Sequence, residues 1–172
     1  MHPSTHKKVV VRKLDKGLVK GFVKPSEFLS PESIELLDLE GHLVSLPLDQ
    51  IKGVYFVREF DGMPERQEKK VFKSRPRLNG LWVRMGFKDA EVLDGLLSEN
   101  LLELDSRGYN FVLPDVNSNN LKIFVPRSAL ASLEVLGVIS KGSRRNPPLP
   151  SPKEPRPETP SRQISLFKEF PA

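Results

Sequence analysis

The sequence predicts an all-β protein: two five-stranded barrels in tandem from an internal duplication, followed by a disordered proline-rich C-terminal tail. Three observations lead there. Short runs rich in Val, Ile, Phe and Leu alternate with Asp, Gly and Pro turns, the signature of hairpins rather than helices. The pattern near the start of the chain recurs about 72–79 residues later. Composition then breaks near Gly142, and from Arg144 to Arg162 Leu149 is the only large apolar residue.

Taken in order, the first copy offers Lys8–Leu14 and Leu18–Lys24 around a turn at Asp15–Gly17, then Ile34–Leu39 and His42–Leu46 around Glu40–Gly41, and lastly Lys52–Phe60. The intervening PLDQIK begins with proline and carries Asp two residues later, which suits one short helical turn. The second copy repeats this with Leu81–Phe87, Glu91–Leu97, Tyr109–Leu113, Leu121–Val125 and Ala131–Gly137. Its connections at 98–108 and 115–120 are longer, and Asn117, Ser118, Asn119 and Asn120 favour turns by bonding their own backbone. Five short antiparallel strands lose their exposed edges most economically by closing into a barrel.

The duplication is visible at both ends of the repeat. VVVRKLDKGLVKGFV (Val9 to Val23) and LWVRMGFKDAEVLDGLL (Leu81 to Leu97) share an apolar run, an Arg, an Asp turn and a later Gly, anchored by Arg12 with Arg84 and Gly21 with Gly95. LPLDQIKGVYFV (Leu46 to Val57) lies over VPRSALASLEVL (Val125 to Leu136), matching Pro47 with Pro126, Ile51 with Leu130 and Val54 with Leu133. The chain divides accordingly into a first barrel at 7–60, a basic linker at 61–79, a second barrel at 80–140, a proline-rich tether at 141–162 and a terminal peptide at 163–170.

The opening VVVRKLDKGLVKGFV resembles the first half of the Sm-like fold, and LPLDQIKGVYFV is similar to its closing strands; SH3-like barrels share this outline. Tandem barrels of this outline also resemble a group of bacterial proteins without established function. The resemblance implies architecture alone, because the RNA-reading segments of the Sm family have no counterpart in this chain.

Composition excludes several classes. A hydrophobic fraction of 38% with 28% charged residues fits a soluble domain, and no apolar run reaches the length of a membrane span. With no signal segment legible, a cytoplasmic location is expected. The absence of cysteine removes disulfides, thiol catalysis and thiolate metal sites. His2, His6 and His42 show no ligand spacing, and no nucleophile elbow, phosphate-cradling loop or dinucleotide fingerprint occurs. The carboxylates Asp15, Glu40, Asp89 and Asp115 sit on turns that hairpin geometry explains. The expectation is a non-enzymatic protein without cofactor or metal. A cyclic-dinucleotide sensor, which binds through an Arg-x-x-x-Arg segment and a later Asp-x-Ser-x-x-Gly, is not matched by Lys73 to Arg77 or Asp105 to Gly108.

The net charge of +5 is concentrated in the tail, where seven Lys/Arg from Lys141 onward face three Glu, leaving a surplus of only one over residues 1–140. Within that body Lys7, Lys8, Arg12, Lys13, Lys16, Lys20 and Lys24 crowd one end, and Lys13, Lys16 and Lys20 are the candidates for weak DNA or RNA contact. Phe22, Tyr55, Phe56, Trp82, Tyr109, Phe111 and Phe124 lie among apolar neighbours and are expected in cores rather than on a base-stacking face.

Arg144 to Arg162 holds seven prolines and only Leu149 as a large apolar residue, so it cannot bury enough to fold. As polyproline II it would reach on the order of 60 Å. At its end stands QISLF. Gln163, Ile164, Ser165, Leu166 and Phe167 resemble the bacterial sliding-clamp-binding motif of Gln, an aliphatic residue usually Leu, Ser or Asp, Leu and Phe; only Ile164 departs, and mildly. The resemblance implies that Leu166 and Phe167 fill an apolar pocket of the clamp while Gln163 bonds at its rim. An adaptor recruited to the sliding clamp in replication or repair is therefore expected. The alternative is a regulatory or scaffold protein whose tail docks on its own body through Ile164, Leu166, Phe167 and Phe170.

Overall fold

The computed structural model describes residues 5–62, 69–73, 76, 78–100, 102, 104–115 and 117–140; the tether at 141–162 and the peptide at 163–170 lie outside the described residues. The described residues form ten strands: β1 Lys7–Lys13, β2 Leu18–Val23, β3 Ser33–Asp38, β4 Leu43–Pro47, β5 Ile51–Val57, β6 Gly80–Phe87, β7 Val92–Leu97, β8 Gly108–Val112, β9 Asn120–Pro126 and β10 Leu130–Ile139. All pairings are antiparallel, and short 3-10 turns at Leu48–Gln50 and Arg127–Ala129 lead into β5 and β10. Among the described residues no helix is long and apolar enough to cross a membrane.

Turn chemistry fixes the hairpins. In the first, Asp15 Oδ1 accepts from the Gly17 amide at 2.8 Å and Lys16 takes a left-handed φ of 69°. The β6–β7 hairpin does the same through Asp89, which accepts from the Glu91 amide at 3.2 Å, with Ala90 at φ 65°. A side-chain acceptor two residues back lets a non-glycine residue hold this conformation, which otherwise costs on the order of 1 kcal/mol. Between β3 and β4, Asp38 accepts from the amides of Glu40 and His42, while Gly41 supplies φ 91°.

The sheet runs β10-β6-β7-β8-β9-β5-β1-β2-β3-β4. Where the sequence predicts two barrels, each closed on its own strands, the ten strands form one continuous sheet. The physical reason lies in β5 and β9. IKGVYFV and NLKIFVP carry apolar residues at successive positions, so both faces need covering, and the two strands pair with each other. Val54 and Phe56 join Phe124 in a core with Val9, Val11, Ile34 and Leu36; on the opposite face Tyr55 and Ile123 join a second core with Val83, Met85, Leu93 and Phe111. Each core is thus completed by a strand from the other half. Phe28 caps the first by meeting the rings of Phe56 and Phe124 edge-on, both at 5.8 Å.

The halves repeat one another in register as well as in order. Strands β5-β1-β2-β3-β4 and β10-β6-β7-β8-β9 have the same sequence of neighbours. Val11 faces Val54 as Met85 faces Leu133, and Val9 faces Phe56 as Val83 faces Val135. Both pairings skip one residue at the same place, between Lys13/Ile51 and Arg12/Gly53 and between Phe87/Leu130 and Gly86/Ser132. Gly21 and Gly95 occupy matching positions, as do Pro47 and Pro126. The pairing of Arg12 with Arg84 read from the sequence is shifted by two: the turns align Arg12 with Gly86, and Arg84 stands where Val10 does.

Candidate functional site

The sequence-predicted partner peptide, Gln163, Ile164, Ser165, Leu166 and Phe167, lies outside the described residues. The three candidate lysines lie on the first hairpin but are not brought to one spot. Lys13 ends β1 and pairs with Asp15 at 3.2 Å; Lys16 sits exposed at the turn; Lys20 stands in mid-β2 opposite Val10 and pairs with Asp61 at 3.3 Å. Two of the three charges are therefore partly compensated, and the hairpin offers less net field than its composition suggests. The expected core role of the aromatics is met by Phe56, Phe111 and Phe124, which are buried. Phe22 and Trp82 instead pack edge-on against Phe60 and Phe72, at 5.3 and 5.9 Å.

The more suggestive feature is a groove beside the β5–β9 joint. Its floor is apolar, built from Pro25, Phe56, Val57, Val112 and Leu121, and its rim carries Lys7, Lys8 and Lys122; it encloses about 360 Å³. Each part has a local cause. Lys122 stands directly across from Phe56, so its side chain lies along the joint and its ammonium sits 4.4 Å from the ring centroid. Burial pushes the Lys122 amine below its ordinary range, and no carboxylate pairs with it among the described residues. Lys8 is compensated by Glu59 at 2.6 Å. The groove thus combines an apolar floor with a desolvated cation at its edge.

A polar network lies beside the opposite core. Lys52 is 2% exposed, in the residue skipped where β1 meets β5, and its ammonium is held by Asp89 and Glu91 of the β6–β7 turn. It also lies 4.9 Å from the Phe87 ring centroid. Glu91 receives Lys70 at 2.8 Å and Arg12 at 3.5 Å. Bonding from Lys52 lowers the Asp89 carboxyl; for Glu91, burial acts upward but the bonds from Lys52 and Lys70 outweigh it, and the net direction is also down. The turn carboxylate Asp89 thus does more than shape a hairpin. Asp94, wholly buried, is held by Arg84 at 2.8 Å and by the Trp82 indole at 3.3 Å, and its amide donates to the Lys70 carbonyl. Such compensated pairs tie elements together.

The sequence reading placed His42 among scattered histidines, whereas the structure sets it with Asp38 and Glu40, ligand atoms lying within 4.8 Å of one another. The tight β3–β4 turn accounts for this closeness, since Asp38 is already engaged by two backbone amides. In the 61–79 stretch, Lys70 and Phe72 contact β7 and β6 rather than spanning open solvent. Sequence reasoning missed Lys52 and Lys122. The signal available was a lysine inside an apolar strand run, IKGVYFV or NLKIFVP, where solvent is an unlikely neighbour on either face.

No curated protein matches the chain, and neither does any solved structure. A family model does, over residues 5–137, from before β1 into β10 and stopping short of the proline-rich stretch and QISLF. It takes in β1 to β9, the joint and the groove, and the chain accordingly belongs to the family of unknown function DUF6982.

Proposed function

We propose that this protein is a non-enzymatic adaptor of the bacterial cytoplasm, recruited to the DNA sliding clamp through Gln163 to Phe167, with the duplicated β-body as its cargo-binding part. The observation that carries the reading is QISLF itself, an apolar cluster placed after a stretch, Arg144 to Arg162, with seven prolines and only Leu149 as a large apolar residue. Leu166 and Phe167 are the anchors, Ile164 takes a shallower neighbouring site, and Gln163 sets the register. Two anchors on a short peptide give modest, reversible binding, which suits a moving replication complex.

The halves are read as duplicated units of the Sm-like or SH3-like barrel type, on the strength of their common order, fourth-to-fifth-strand 3-10 turn and separate cores. The rival reading, a tail docked on its own body, is weakened by charge. The apolar groove on the body is rimmed by Lys7, Lys8 and Lys122, and the tail carries a surplus of four positive charges. Weak nucleic-acid contact by Lys13, Lys16 and Lys20 belongs to the same proposal, since a clamp partner works beside DNA.

The test is competition: a labelled peptide of residues 159–172 is bound to a bacterial sliding clamp and displaced by the full chain. A dissociation constant on the order of 1–50 µM for both supports recruitment. Peptide binding without displacement by the full chain points to a docked tail, and the absence of peptide binding at about 100 µM removes the clamp reading.

A further inference from the structure

The sheet ends in β4 and β10, whose outer edges meet no strand among the described residues. Within the repeat β4 corresponds to β9 and β10 to β5, and β9 and β5 are the two strands that pair at the joint. The chain thus contains one joint between a fourth and a fifth strand and leaves open the other pair of edges of the same two kinds. An open edge with exposed apolar residues invites a strand from elsewhere.

Register makes the relationship residue-specific. At the joint Val54 faces Phe124 and Phe56 faces Lys122. Carried through the repeat, these pairs become Leu133 facing Ser45 and Val135 facing Leu43. Val135 is 57% exposed although its counterpart Phe56 is only 3% exposed, and Leu43 is 72% exposed. Val135 shares a face with buried Val83, as Phe56 does with Val9, but no strand covers its far side among the described residues, and it borders the skipped Leu136, an irregularity that the β1–β5 pairing lacks.

We propose that β4 of one copy pairs antiparallel with β10 of the next, repeating the intrachain joint between chains, so that copies of this protein associate head to tail. The contact uses two different surfaces, so it extends to a ring or a filament, the smallest ring being a two-fold dimer in which β4 of each copy meets β10 of the other. It is weaker than the joint it copies. Ser45 stands where Phe124 does, β4 has five residues, and Glu134 in mid-β10 moderates the edge. The dissociation constant is on the order of 10–100 µM. This association is independent of the clamp reading and survives its failure.

Sedimentation velocity of the full chain from about 1 to about 200 µM tests it. The weight-average sedimentation coefficient rises with concentration in the native chain; Leu43→Lys and Val135→Glu each hold it at the monomer value. Mixing the two variants restores the rise, because each native edge then finds its native partner and the two altered edges attract. Leu43→Ser and Val135→Ser remove the contact without adding charge, with unaltered circular dichroism showing that the fold is kept. A monomer at every concentration, the result expected if β4 and β10 of one chain close on each other, overturns the proposal. So does association that the substitutions leave unchanged, or variants that fail to complement, as for a contact between like edges.

Discussion

Lys52 and Glu91 belong to different halves of the chain, yet the Lys52 ammonium lies 2.5 Å from the Glu91 carboxylate, and Asp89 holds it from the other side. A cation this buried is tolerable only while its acids remain, and that asymmetry orders the expected effects of substitution. Removing both acids with Asp89→Asn and Glu91→Gln strands the ammonium and should cost about 3–5 kcal/mol. Lys52→Met replaces the cation with a side chain of similar length and should cost about 1 kcal/mol or less, since both acids keep some water and Glu91 keeps Lys70 and Arg12. Urea denaturation measures both, and the reverse order would refute the argument.

The same network sets an acid limit. Asp89, Glu91 and Asp105 all titrate below their ordinary values in the folded chain, Asp105 through its bonds from Arg107. Groups depressed in this way bind more protons unfolded than folded, so their contribution is fully present above the unfolded carboxylate range of about 4. It disappears as pH falls through the lower folded values. The urea midpoint should be flat from about pH 5 to 7 and drop below about pH 4. The drop should be shallower in Lys52→Met, which lacks the cation that depresses Asp89 and Glu91.

Lys122 works with the opposite sign. Its amine is pushed down by burial, so protonation disfavours the fold, and stability recovers as pH rises from the folded value toward the unfolded one near 10.4. Its ε-methylene resonance, followed by NMR, should titrate at lower pH than those of exposed lysines. An anionic amphiphile such as a medium-chain fatty acid should raise that midpoint by entering the groove, whereas a neutral alcohol of equal length should not.

Two equivalent glycines should respond differently to the same substitution. A Cβ at Gly21 would overlap the Leu37 carbonyl oxygen and come within 2.5 Å of Leu36 Cδ1, and the backbone atom cannot step aside. At Gly95 it would meet Phe111 Cβ at 3.1 Å and the Met85 methyl at 3.2 Å, both side-chain atoms. Gly21→Ala should therefore destabilise by about 3 kcal/mol and Gly95→Ala by about 1 kcal/mol, read from denaturant midpoints.

The hairpins were legible because their causes are local. Asp15–Gly17 and Asp89–Glu91 make turns through bonds spanning two residues, and the strands on either side fall within a few positions of where alternation and turn residues put them. The short turn at Leu48–Gln50 was readable from PLDQIK for the same reason. The joint was not readable, because β5 and β9 are more than sixty residues apart and nothing in either run names its partner. Their uninterrupted apolar character said only that both faces are buried. The groove followed from the joint and was hidden with it. The run NLKIFVP marks Lys122 as a lysine among apolar residues, but its place at the groove comes from standing across from Phe56, which only the joint provides.

Calorimetric titration of the full chain into a bacterial sliding clamp bears most directly on the central claim, that Leu166 and Phe167 are offered to a pocket on another protein. The account predicts one chain bound per clamp site with a dissociation constant on the order of 1–50 µM, weakened at least about tenfold by Leu166→Ala with Phe167→Ala. Lys13→Glu, Lys16→Glu and Lys20→Glu together should leave it unchanged. No heat at about 100 µM protein, or binding that survives loss of both anchors, would contradict it.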